Sequence, residues 1–183
     1  LDYDPPPDGI PLNREDLVSA LRRAVPGLCD AAMLWWPSAS SFIINTETGE
    51  QATGLRGQRL YILVASAADI PRAGKAVTEA LWAAGSGYFA VSTSGSLLSR
   101  TIFDGSVWQT NRLDFAAGAA CRAPLRQERG KPVLVPGTAE IVDTETAIPD
   151  PTAEIKAEAH TARDRTRAAV RAEGEAVREA WIE

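Results

Sequence analysis

Two aspartates at the start of the chain and a third more than a hundred positions later are the residues best suited to metal chemistry. Asp2 and Asp4 flank Tyr3 in the opening Leu-Asp-Tyr-Asp-Pro stretch, and Asp114 lies in Asn-Arg-Leu-Asp-Phe. Side chains alternate between the faces of a strand, so Asp2 and Asp4 would point the same way, about 7 Å apart. Joined by Asp114 from a neighbouring strand, they would form a cage of hard oxygen ligands that suits Mg²⁺ or Mn²⁺. Phosphoryl transfer assisted by two metal ions requires such a cage.

The composition excludes several other kinds of site. His160 is the single histidine and lies in the charged tail, which excludes Ser/His/Asp hydrolases, Cys/His nucleophiles and histidine-based metal sites. Cys29 and Cys121 are far apart and lack zinc-ligand spacing, so they indicate free or buried thiols, or one disulfide. No apolar run approaches the roughly 20 residues needed to span a bilayer. We expect a cytoplasmic protein without membrane contact, and a first residue, Leu1, that was exposed by processing or cut from a longer chain.

The charge is unevenly distributed along the chain. The whole chain carries −5, yet positions 56–131 contain ten Lys or Arg and five Asp or Glu, which makes this middle part basic. A basic middle and an acidic periphery favour a phosphate-rich ligand at one face. An ordinary mixed, solvated surface explains the same numbers.

The hydrophobic pattern predicts alternating helices and strands before residue 117. Asn13 is typical of an N-cap for a helix over 14–25, and a second helix is predicted over 69–84 after the Asp-Ile-Pro signal. Strands are predicted at 33–36, 41–44, 59–64, 88–92, 97–103, 107–109 and 112–116, with a hairpin turn at 46–49. This order indicates an α+β domain with a mixed or antiparallel sheet.

The remainder of the chain divides into two parts. Residues 117–150 are rich in Gly, Pro and Ala, with one strand predicted at 132–135, and residues 126–150 are interpreted as a linker or covering segment. Residues 151–183 form a helical tail with a thin apolar stripe: Ile155, Ala159, Ala162, Ala169, Val177 and Trp181. Such a stripe favours docking on another surface or pairing with another helix, although packing on its own domain is equally compatible with it.

The order of the motifs resembles a known family. The Asp-x-Asp strand is followed by a helix, a strand headed by Gly57-Gln58-Arg59-Leu60-Tyr61, a second helix, and Leu113-Asp114. This order is similar to the archaeo-eukaryotic primase superfamily, and in particular to the primase-polymerase domains of plasmid, phage and integrative-element replication proteins. Shorter phrases at 36–41, 69–72 and 94–100 add to the likeness, which covers roughly residues 1–125 as the catalytic core. The resemblance implies an RRM-like fold.

The resemblance also implies roles for individual residues. It makes Asp2, Asp4 and Asp114 the ligands of the catalytic Mg²⁺ or Mn²⁺ ions. Arg59 stands where the family has a histidine that contacts the nucleotide's phosphates. An arginine can grip a triphosphate bidentately, but its presence is equally compatible with a degenerate site.

Further basic residues are candidates for binding nucleotide or nucleic acid. Arg100 would lie on a strand beside Asp114, and four others could contact a template: Arg56, Arg72, Lys75 and Arg112. Solvated or ion-paired roles explain each of them as well. Asp104 is set aside as the third carboxylate because Asp104-Gly105 is typical of a turn. One of the neighbours Trp35 and Trp36 should be buried and the other exposed, where it could stack on a base.

The function predicted is template-dependent nucleotidyl transfer, as in a DNA primase or polymerase of a mobile element. Its partners would be single-stranded DNA, nucleoside triphosphates, and a helicase or another replication protein at the helical tail. The main alternative is an inactive primase-like domain that binds DNA or a replication partner. A third hypothesis is a metal-dependent phosphohydrolase that uses the same acids.

Overall fold

The sheet that carries the predicted acids is arranged around a strand at residues 58–61. The computed structural model describes residues 1–5, 9–109, 112, 114 and 116–182. Four strands form this main sheet: β1 Asp2–Tyr3, β2 Met33–Pro37, β5 Gln58–Tyr61 and β9 Val133–Val135. Their order is β1-β5-β2-β9, and every pairing is antiparallel.

Two smaller sheets adjoin the main one. The hairpin of β6 Gly87–Val91 and β7 Leu97–Thr101 is linked to β1 by a bridge between Tyr3 and Phe103. The other sheet has the order β4-β3-β8 and contains β3 Ile43–Asn45, β4 Gln51–Thr53 and β8 Leu125–Gln127. The bridge at Tyr3 places the segment that follows β7 beside the strand that carries Asp2.

Two helices cover one face of the main sheet. Helix α1 spans Arg14–Ala24, and its N-cap Asn13 accepts a hydrogen bond from the Asp16 amide at 2.8 Å. Helix α2 spans Ile70–Ala83. Both contribute to one apolar core that contains Tyr3 and Leu60. Because strand side chains alternate, the neighbours of these core residues lie on the opposite face, which α1 and α2 leave uncovered.

The C-terminal helix packs on its own domain. After the short α3 at Thr144–Ala147, α4 spans Ala153–Ile182. Ala159 and Ala162 are buried beside Trp82 and Phe89. Arg163 also binds Glu79 of α2 through two hydrogen bonds, at 2.7 and 2.9 Å. Ala159 and Ala162 of the apolar stripe therefore pack within the domain itself. Ala169 is exposed, as are the last two described residues, Trp181 and Ile182.

Most predicted elements are present, including both core helices, the β3–β4 hairpin and β9. The prediction of a strand at 107–109 is wrong: Gly105–Trp108 is a 3₁₀-helix, because the Asp104 side chain caps its first turn by accepting from the Ser106 amide at 2.9 Å. The predicted strand at 112–116 falls partly outside the described residues, and Arg112, Asp114 and Ala116 lie in no strand. The linker or covering segment supplies β9 to the main sheet and also forms α3.

The architecture is α+β, with antiparallel sheets and a C-terminal helix. Among the described residues, no helix has both the length and the apolar character that crossing a bilayer demands.

The contact between α2 and the 3₁₀-helix can be tested at Gly74. A Cβ added there would lie 2.2 Å from Cγ of Trp108, whereas a Cβ on Gly105 would meet nothing closer than 3.8 Å. We expect Gly74→Ala to lower the free energy of unfolding by about 1–3 kcal/mol, because the tryptophan must move. Gly105→Ala, the matched control, should change it by less than about 0.5 kcal/mol. Urea denaturation measures both, and equal effects would contradict the packing described.

Candidate functional site

The pairing register of three strands collects polar side chains on the uncovered face of the sheet. Asp2 lies opposite Arg59 of β5, and Arg59 lies opposite Trp36 of β2. Gly57 gives room to the next acid: a Cβ there would lie 3.0 Å from Oδ1 of Asp4 and 2.7 Å from Oγ of Ser38. Asp2 and Asp4 therefore share the face that alternation predicts for them.

Arg59 connects the N-terminal acids to Asp114. Its guanidinium Nη1 lies 3.0 Å from Oδ1 of Asp114, and its Nε lies 3.9 Å from Oδ1 of Asp2. The Tyr61 hydroxyl donates to the other oxygen of Asp114 at 2.7 Å. Only 13% of the Arg59 side chain is exposed, so its charge is poorly screened. The three predicted metal ligands thus meet in one region, but an arginine stands between Asp2 and Asp114.

Asp104 is a site residue that sequence reasoning set aside. Its amide donates to the Asp2 carbonyl oxygen at 2.8 Å, next to the bridge between Tyr3 and Phe103. Its carboxylate accepts from the Ser106 amide and hydroxyl at 2.9 and 2.7 Å. A signal was available: alternation from Arg100 along the predicted strand at 97–103 places Asp104 on the same face as Arg100. The third acid beside Asp2 is therefore Asp104.

Burial and neighbouring charges affect these carboxyl groups differently. Burial, followed by the negative charge of Asp4, raises the pKa of Asp2, and the Arg59 guanidinium only partly opposes this rise. Burial also disfavours ionisation of Asp104. The hydrogen bonds from Ser106 and the charges of Arg100 and Arg112 together outweigh that burial, however, and lower the pKa of Asp104.

The acids can supply part of a metal site but not all of it. Among the side chains that the structure describes, no group of three or more His, Cys, Asp or Glu is arranged to hold a metal ion. Mg²⁺ is usually bound by one or two carboxylates together with substrate phosphates and water. Asp2 and Asp4, with Asp104 beside them, fit that incomplete arrangement. Asp114 is already engaged by Arg59 and Tyr61.

The other predicted basic residues fall into two groups. Arg100 lies on the uncovered face, 3.8 Å from Asp104 and opposite Tyr88, and Arg56 is exposed in the β4–β5 connection. Arg112 borders a cavity together with Asp2, Arg59 and Asp114. Arg72 and Lys75 instead lie on α2, the helix that packs on the other face.

Arg72 is fully engaged in holding α2 to the segment around α3. Its guanidinium donates to both carboxylate oxygens of Asp69 at 2.6 and 2.7 Å, and to Asp150 at 3.1 Å. It also donates to the carbonyl oxygens of Thr144 and Ile148. We therefore leave Arg72 and the neighbouring Lys75 out of the proposed site.

A cavity of about 370 Å³ lies beside Arg59, between the end of β5 and α2. Its walls are mainly apolar, with Ile62, Val77 and Trp108 among them, and Asp2, Arg59 and Asp114 lie at its polar side. The polar face of the sheet is thus continuous with an apolar recess.

Comparison with known proteins does not assign this site. No family model matches the chain, and no significant similarity is found to curated proteins or to solved structures.

The electrostatic coupling between Asp2 and Asp4 can be measured by following carboxyl ¹³C shifts against pH in metal-free buffer. We expect the Asp2 pKa to lie above 3.8 and to fall in Asp4→Asn, because a neighbouring negative charge disfavours ionisation. Because the Asp2 pKa is higher in the folded protein than in the unfolded chain, the free energy of unfolding falls as the pH rises from 3.8 through the folded-state pKa. Asp4→Asn should make this fall smaller. Asp30→Asn, an exposed control remote from this face, should leave the Asp2 pKa unchanged. An Asp2 pKa insensitive to Asp4→Asn would contradict the shared face.

Proposed function

We propose that this chain is a nucleotidyl-transfer domain of the primase-polymerase type, acting with Mg²⁺ or Mn²⁺. One observation carries the proposal: Asp2, Asp4, Asp104 and Arg59 lie together on the sheet face that α1 and α2 leave uncovered. Clustered carboxylates beside a fixed guanidinium are suited to a substrate that combines a divalent cation with a polyphosphate.

The acids would hold the cation, and the substrate would complete its ligand shell. Asp2 and Asp4 are the ligands proposed, with Asp104 close enough to share the ion or a water bound to it. When bound, a divalent ion supplies charge neutralisation for the triphosphate and acidifies the attacking hydroxyl. This role differs from the one implied for Asp114, which would orient Arg59 through its 3.0 Å ion pair.

Arg59 and Arg100 would bind the phosphates. Arginine is always protonated, and its planar guanidinium can donate two parallel hydrogen bonds to a phosphate. Arg59 is held by Asp2 and Asp114 on one sheet face, with little exposure. An incoming triphosphate would compete with Asp114 for this guanidinium, whereas Arg100 is about half exposed at the other side of the acids.

The sheet itself supports the RRM-like part of the proposal. An RRM uses the open face of an antiparallel sheet, where aromatic side chains stack on bases. Here the corresponding face carries Trp36 and Tyr61, with Tyr88 opposite Arg100 on the adjoining hairpin. Helices α1 and α2 pack on the other face.

A second candidate is a binding domain of the same fold without catalysis. The position of Arg59 favours it, because the arginine neutralises Asp2 and Asp114 where the resemblance implies a cation between acids. Such a domain would bind nucleic acid or a replication partner and would not need the divalent ion.

Incorporation of a labelled nucleotide on a primed single-stranded template separates the candidates. We expect Mg²⁺- or Mn²⁺-dependent extension, and losses in Asp4→Asn and Asp104→Asn that exceed the roughly 10- to 100-fold typical of outer-shell partners of a metal. Asp30→Asn should retain activity. Wild-type protein that extends no primer with either ion contradicts the proposal and favours the binding domain. Release of phosphate or nucleoside monophosphate without extension favours a phosphohydrolase.

Arg59→Lys tests the phosphate role. Lysine keeps the positive charge but cannot form the two parallel hydrogen bonds, so we expect KM for the nucleotide to rise by about tenfold or more, since a hydrogen bond to a charged group contributes about 1.5–3 kcal/mol. The change in kcat should be smaller. Steady-state kinetics on the primed template measures both constants, and an unchanged KM would remove Arg59 from nucleotide binding.

A further inference from the structure

Trp36 lies on the same sheet face as the acids and is covered by a fixed arginine. The Arg129 guanidinium carbon lies 3.9 Å from the centre of the Trp36 ring. Arg129 is held there by hydrogen bonds to the carbonyl oxygens of Pro37 at 3.2 Å and Ala116 at 2.8 Å. The Trp36 indole nitrogen donates to the Gly130 carbonyl at 3.2 Å. These bonds fix the aromatic ring and the cation relative to each other. We call this pair the Trp36–Arg129 platform.

The chain around the platform is basic, although the protein as a whole is acidic. The ten residues 122–131 contain four basic side chains and one acid, Glu128, in a chain of net charge −5. Arg126 is 64% exposed and pairs with Glu128, and Arg122 and Lys131, before and after it in the chain, are exposed. Arg56 is exposed in the connection that leads into β5. The segment that supplies Arg129 to the platform is therefore basic, in a protein whose net charge would repel a polyanion.

The register places the platform close to the acids. Trp36 pairs with Arg59, and Arg59 pairs with Asp2. Adjacent strands are about 4.8 Å apart, so the backbone of Trp36 lies roughly 10 Å from that of Asp2. A nucleic-acid strand bound on the platform therefore needs only about two further nucleotides to reach the acids.

We propose that the Trp36–Arg129 platform, with Arg126 and Lys131, binds single-stranded nucleic acid. Bases stack on fixed aromatic rings and on guanidinium planes, and basic side chains follow the phosphates. A duplex hides its base faces, so the combination of an aromatic ring and cations favours a single strand over a duplex. As the path of a template, this surface rests on the proposed nucleotidyl transfer; as a binding site, it stands without that proposal.

Fluorescence anisotropy with a labelled 20-nucleotide single-stranded DNA, measured over a range of salt concentrations, tests the surface. We expect Arg126→Glu/Lys131→Glu to weaken binding at least tenfold and to lower the salt slope by about 1.4, because each phosphate contact on a single strand contributes about 0.7. Lys156→Glu/Arg165→Glu is the matched control: it makes the same change in net charge at exposed positions of α4, which packs on α2 and beside Phe89.

Stacking is tested separately at Trp36. Trp36→Phe keeps a ring under the Arg129 guanidinium and should bind within about threefold of wild type, whereas Trp36→Leu removes the ring from the platform and should bind roughly tenfold more weakly. Thermal melting of each variant checks that the fold is retained, and the exposed charge variants keep the test valid if Trp36→Leu does not fold.

Each outcome supports or overturns the proposal. The proposal would be overturned if the platform and control charge variants lost affinity for single-stranded DNA equally, or if wild-type protein did not bind it. Tighter binding of wild-type protein to a duplex of the same length would also overturn it. Asp30→Asn, at an exposed position outside the proposed sites, should bind the strand as well as wild type does. If wild-type protein binds through the platform but extends no primer, nucleotidyl transfer fails while the binding surface stands.

Discussion

The candidate site depends on the register between β1 and β5. Side chains alternate along a strand, so a slip of one residue would turn Asp2 and Asp4 into the core and Tyr3 into solvent. Tyr3 prevents this slip: it is 1% exposed, and its hydroxyl accepts from the Leu12 amide at 2.9 Å. Burying this large ring on the helical side fixes both aspartates on the other side.

Arg59 is the electrostatic centre of that second face. Burial raises the pKa of Asp2, and the negative charges of Asp4 and, to a smaller extent, Asp104 raise it further. The Arg59 guanidinium, with 13% exposure, and the N-terminal ammonium group oppose this rise, while Arg59 also pairs with Asp114. The site therefore combines a cluster of carboxylates with a guanidinium that is paired to two of the aspartates. Its excess negative charge on one side and its basic border on the other match a ligand that combines a cation with phosphates.

Local sequence patterns predicted much of the fold but only part of the candidate site. Periodicity located both core helices, and alternation correctly grouped Asp2 with Asp4. It could not show that Asp104 adjoins Asp2, because a Tyr3–Phe103 bridge joins positions a hundred residues apart and the local Asp-Gly signal indicated only a turn. The pairing of Met33 with Val135 is equally non-local. The sparse stripe of α4 gave no sign of its partners, since Trp82 and Phe89 are specified only by the tertiary fold.

The most direct measurement is anomalous diffraction from crystals grown with Mn²⁺ and a non-hydrolysable nucleoside triphosphate. The account predicts a manganese peak in contact with Asp2 or Asp4, near Asp104, with phosphate oxygens completing the ligands and Arg59 on the triphosphate. A nucleotide bound elsewhere, or an ordered nucleotide at this face with no manganese peak beside these acids, would contradict it.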